Sequence, residues 1–95
     1  MDNKLEQWSK TYNLNDLKLV GYSGGYPMIQ FYNDKEINIP ENKIKKIVRQ
    51  AEMAGGFQLG VGINFRKTAD VIVNNETIVI YGHEFVIERI LEKLF

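Results

Sequence analysis

His83 is the only histidine among the 95 residues, and the chain contains no cysteine. Disulfides and thiolate zinc sites are therefore ruled out, and His83 is the one imidazole that could serve in proton transfer. It stands where the strand-like run Thr77–Tyr81 hands over to a helical pattern, a position that suits a helix cap or solvent. A general base needs an orienting partner, and Glu84, its neighbour in sequence, points elsewhere once the segment is helical. Ser9 and Ser23 have no evident base, no G-x-S-x-G elbow is present, and the acids are not spaced as a metal cluster. We expect no enzyme, no catalytic residue, no metal and no cofactor.

Two stretches remain that are chemically distinctive. Lys43, Lys45, Lys46 and Arg49 form a basic edge on a helical segment, able to meet phosphates or simply to face water. The stretch Gly21–Pro27, GYSGGYP, places Tyr22 and Tyr26 around Ser23, Gly24 and Gly25. The glycine pair permits the positive φ of a tight hairpin turn. The alternative is an anion nest walled by the two tyrosines, or a protein-contact loop, where tyrosine gives large area at low entropy cost. No helix start follows the glycines, so neither phosphate-loop nor dinucleotide-fold geometry applies.

The elements that would position these groups follow from periodicity. Leu5, Trp8 and Tyr12 share one side of a short helix over 3–12. LKLVGY, PMIQFYN and EINI then read as a three-strand meander, ended by Pro40. Ile44, Ile47, Val48 and Ala51 make the stripe of a helix that Gly55-Gly56 stops. FQLGVGINF, ADVIVN and TIVIY are strand-like again, with Gly60 and Gly62 as points of close packing, and Ile87, Ile90, Leu91 and Leu94 stripe a last helix. The expected architecture is α+β in one domain over 1–95: the 3–12 helix, a βββα unit over 17–54 and another over 57–95. Its helices pack on an antiparallel sheet of about six strands. A shift of 41 residues sets Val20 on Val61, Gly21 on Gly62 and Asn33 on Asn74, the mark of a degenerate duplication or of convergence.

Strand alternation puts Ile29, Phe31, Ile37 and Ile39 on one face of the first unit. In the second, it groups Ile72, Ile78 and Ile80 against Val71, Val73, Val79 and Tyr81. A hairpin apolar on both sides must be covered on both, by the N-terminal helix or by another chain. The helix-strand-strand-strand-helix order of the first 54 residues, with its KIKK stretch, resembles a double-stranded-RNA-binding domain, which would place those lysines on phosphates. Pro40-Glu41-Asn42 stands where that family has its Gly-x-Gly-x-Ser-Lys-Lys helix start.

Basic and acidic residues cancel, so no global field steers the chain to nucleic acid or anionic lipid. The N-terminus lacks the bases and apolar run of a signal peptide, which leads us to expect a soluble cytoplasmic protein. The Ile-, Asn- and Lys-rich composition is that of AT-rich genomes, including those of phages. The reading that results is a small non-enzymatic protein that binds another protein, as a phage or mobile-element inhibitor does. Val71, Val73, Val79, Tyr81, Tyr22 and Tyr26 are its expected interface, with self-association as a corollary. The alternative readings are a nucleic-acid module built on the basic edge and, third, a small-anion binder at Ser23-Gly24-Gly25.

Overall fold

The computed structural model describes residues 2–54 and 68–95. Within them the chain runs α1 (Asp2–Thr11), β1 (Lys18–Ser23), β2 (Tyr26–Tyr32), α2 (Glu41–Ala54), β3 (Asp70–Val73), β4 (Thr77–Tyr81) and α3 (Glu84–Leu94). The four strands form one antiparallel sheet in the order β1-β2-β4-β3. The α+β class is as expected, and among the described residues the strands number four rather than six.

Helix ends are set by local chemistry. Asn13 takes φ +52 just past α1, and the Leu14 amide bonds back to the Ser9 carbonyl at 2.9 Å, a left-handed close that asparagine tolerates. At α2 the Pro40 carbonyl accepts the Ile44 amide at 3.1 Å, so the proline caps the helix from outside rather than filling its first turn. Gly82 takes φ +152 before α3, and a Cβ there would stand 2.8 Å from the Ala69 Cβ. Only glycine lets these two segments approach so closely.

The strand expected at 36–39 does not form. The Asn33 side chain accepts the Ile37 amide at 3.2 Å, and Glu36 takes φ +48, which curls the chain off the sheet toward Pro40. The helix-strand-strand-strand-helix order behind the RNA-binding resemblance is therefore replaced by α1-β1-β2-α2. The FQLGVGINF strand with Gly60 and Gly62, and the Gly55-Gly56 helix stop, lie outside the described residues. What recurs among the described residues is a strand-strand-helix unit, β1-β2-α2 and then β3-β4-α3. Ser23 and Tyr26 close the first hairpin and Asn74 and Thr77 the second, so the hairpins correspond at a spacing of 51 residues, not 41.

The core lies on one face of the sheet. Ile29, Phe31, Val71, Ile78 and Ile80 are buried there against Val86, Ile87, Ile90 and Leu91 of α3, Val48 and Ala51 of α2 and Trp8 of α1. Each fully buried Leu, Ile or Phe side chain contributes about 1.5–3 kcal/mol. Lys4 of α1 pairs with Glu88 of α3 at 2.9 Å, tying the N-terminal helix to the last one. Phe95 packs on Phe31 with centroids 5.7 Å apart, and Lys35 bridges the Tyr12 carbonyl (2.5 Å) and the Phe95 ring (4.9 Å).

Candidate protein interface

The strand register decides which side chains meet the helices and which do not. Val71 pairs with Ile80, Ile72 with Val79 and Val73 with Ile78. Ile29 pairs with Ile80, and Phe31 with Ile78. Directly paired residues share a face. Val71 and Val73 therefore lie on the core face, and Val79 and Tyr81 on the outer one. The grouping of Val71, Val73, Val79 and Tyr81 on a single face is corrected: the turn between Asn74 and Thr77 holds an even number of residues, which exchanges odd and even positions across the hairpin. Val71 is 6% exposed, within the core, and Val73 packs against it.

The outer face is assembled from Tyr26, Met28, Gln30 and Tyr32 of β2, Thr77, Val79 and Tyr81 of β4, and Ile72 of β3. Tyr32 is 55% exposed and Ile72 46%, while Met28, Val79 and Tyr81 are half-buried among their strand neighbours. α1 was a candidate cover for this face, yet Trp8, Leu5 and Tyr12 join the core on the opposite side. All three helices pack on that one side, and no described helix lies over the outer face. Gly21, paired with Met28 at an irregularity in the β1–β2 register, takes φ +156; a Cβ there would only touch the Met28 methyl, 3.8 Å away, so backbone conformation rather than space favours glycine.

The Gly24-Gly25 tip joins β1 to β2 with φ of +58 and +87, the φ pair of a type I′ turn. Ser23 pairs with Tyr26 across it, and Tyr22 with Pro27. Nothing stands within 4 Å of a Cβ built on either glycine, so backbone conformation alone calls for them. Tyr26 points to the outer face and Tyr22, 65% exposed, to the other, so the two rings do not wall a common site.

His83 is the N-cap of α3. Its Nδ1 accepts the Phe85 amide at 3.3 Å and its ring stacks on Phe85, centroids 5.4 Å apart. Lys43, Lys45, Lys46 and Arg49 are all exposed along α2, away from its Ile44, Ile47 and Val48 stripe, and Lys45 pairs with Glu41 at 3.6 Å. An open groove of about 550 Å³ runs between the 37–39 segment, the start of α2 and β3. Among the described residues, no group of three His, Cys, Asp or Glu could hold a metal ion, and no helix is long and apolar enough to cross a membrane.

Sequence reasoning missed Glu52. It is 7% exposed near the end of α2 and accepts the Thr68 amide (3.3 Å) and hydroxyl (3.0 Å), fastening the helix to the start of the β3 segment. A glutamate on the flank of an apolar stripe gives no signal of such a role, because its partner is set by tertiary placement. Glu88 was also unremarked: its carboxyl is held below the usual value by the Lys4 hydrogen bond, against the opposing effect of burial, with the Lys4 charge and the Trp8 indole helping. The indole N–H lies near enough to matter there but reaches no acceptor in hydrogen-bonding geometry.

Comparison with family models, curated proteins and solved structures finds no match to this chain.

Proposed function

We propose that this chain is a small cytoplasmic, non-enzymatic binding protein that acts by occupying a surface on another protein, using the outer face of its sheet. One observation carries the reading. Three helices crowd one side of the sheet, while the other carries Tyr26, Met28, Tyr32, Ile72, Val79 and Tyr81 beside the polar Gln30 and Thr77, with no described helix over it. A sheet face meant for water alternates polar residues outward; contiguous apolar and aromatic side chains mark a contact surface. Tyrosine and methionine are enriched in interfaces, where they supply large contact area and adaptable packing. Inhibition of a host system by a phage or mobile element is a role that fits such a compact, neutral scaffold.

The test is affinity capture from the native host, with and without nuclease, using the wild-type chain and Val79→Lys. The expected result is a protein captured by wild type regardless of nuclease and lost with Val79→Lys. Equal capture by both would overturn the outer face as the binding site.

A second reading has its own observation: four exposed cations along the outward side of α2, which are free of any role in the core. Under it, capture depends on intact nucleic acid, falls steeply with salt, and is lost in Lys45→Glu/Lys46→Glu. The small-anion reading has less behind it, since the type I′ turn already accounts for Gly24 and Gly25.

A further inference from the structure

We propose that the outward side of α2 lies in the major groove of double-stranded DNA. This deepens the reading of the α2 cations as a nucleic-acid surface and rests on it. It concerns the side of the molecule opposite the outer face of the sheet, so neither surface obstructs the other.

The argument is one of charge segregation within a single helix. Successive helical residues turn by about 100°, so Asn42, Lys43, Lys46, Arg49 and Gln50 share an arc of about 120°. All five are exposed, and the arc faces away from the Ile44, Ile47, Val48 and Ala51 stripe that meets the core. α2 has two acids, and neither lies on the arc. Glu41 stands on its flank, paired with Lys45 at 3.6 Å, and Glu52 is buried against Thr68. Among the described residues, the side chains of Lys43, Lys46 and Arg49 have no ion-pair or hydrogen-bond partner. Three cations with no acid between them make a polyanion the complementary partner.

The kind of polyanion follows from the rest of the arc. Single strands are held on aromatic side chains against which bases stack, and the arc carries none. The major groove of A-form RNA is too narrow for side chains to read. That of B-form DNA, about 12 Å wide, admits a helix about 10–12 Å across. There lysine and arginine reach phosphates and guanine edges, and the Gln50 amide matches an adenine edge. The Asn42 side-chain oxygen accepts the Lys43 amide at 2.9 Å, which leaves its NH₂ as a donor. Three cations make a short footprint, so binding in the micromolar range or weaker is expected.

The experiment is fluorescence anisotropy of the full chain titrated onto a labelled DNA duplex of about 20 base pairs, with the same sequence as single-stranded DNA and as an RNA duplex beside it. Thermal melts accompany every variant. The DNA duplex should bind at low salt, with affinity that falls about fortyfold between about 50 and 200 mM, the slope of about three phosphate contacts. Lys46→Ala and Arg49→Ala should each weaken binding and lower that slope by about one. Lys10→Ala, which removes an exposed cation from α1, should change neither. No binding of the DNA duplex at low salt, equal or tighter binding of the RNA duplex or the single strand, or folded Lys46 and Arg49 variants that lose nothing would each overturn the proposal. Nuclease-resistant capture of an acidic protein that is lost in those two variants would assign the arc to a protein and overturn it as well. RNA or single strands bound through Lys46 and Arg49 would leave the broader nucleic-acid reading standing, whereas no nucleic acid bound at all removes both.

Discussion

Glu88 shows how one side chain couples packing to solution conditions. Its folded-state pKa is depressed, first by the Lys4 hydrogen bond, so its contribution is present above the unfolded value of 4.5 and is lost as pH falls through the lower folded value. Both partners of the pair are about one-third exposed, at 35% each, which limits its worth to at most about 1 kcal/mol. Glu88→Gln should therefore lower the thermal midpoint near pH 7 and leave little difference from wild type well below pH 4.5. Melts of both proteins across that range check it; a gap that is unchanged by acidification would remove the ion pair from the account. At this scale the sequence was informative about turns and caps. Gly24 and Gly25 permit positive φ by type, and His83 at a strand-to-helix junction suits a cap or solvent. It was silent on Glu36, whose φ of +48 no residue preference anticipates, and on Glu52, whose partner Thr68 lies sixteen positions away.

Elements were legible wherever period and punctuation agreed. The three helices and both hairpins stand where Trp8, Val48 and Leu91 stripes and the Gly24-Gly25 and Asn74–Glu76 turns place them. EINI failed because alternation without a neighbouring edge is not a strand: the Asn33 side chain captures the Ile37 amide, and the ladder ends there. The face assignment of β3 and β4 failed for a different reason. Alternation within a strand is visible in sequence, but its phase relative to the next strand depends on the turn and its pairing. The corrected phase makes a sharp prediction. Val71→Lys puts an ammonium into the core and should cost more than about 3 kcal/mol, whereas Val79→Lys on the outer face should cost within about 1 kcal/mol. Denaturant unfolding of the two variants checks it, and comparable losses would mean that the faces are wrongly assigned.

Among the described residues the sheet is asymmetric: α1, α2 and α3 all share one side, and the other carries Met, Val, Ile and Tyr side chains beside Gln30 and Thr77. The class and the presence of surplus apolar surface could be read from one chain, because both are carried by composition and period. Which side α1 would choose could not, since Leu5, Trp8 and Tyr12 suit either face until Glu88 is placed beside Lys4. Nor does surface complementarity have a motif, so the partner has no signature in the chain. The central claim is that the outer face is where this protein meets other proteins. The chain has no cysteine, so thiol labelling of single-cysteine variants reports one site at a time. Val79→Cys should react freely in dilute buffer and be protected about tenfold or more in concentrated, nuclease-treated native host lysate, while Arg49→Cys on α2 keeps its rate. An Arg49→Cys that becomes protected while Val79→Cys keeps reacting would contradict it.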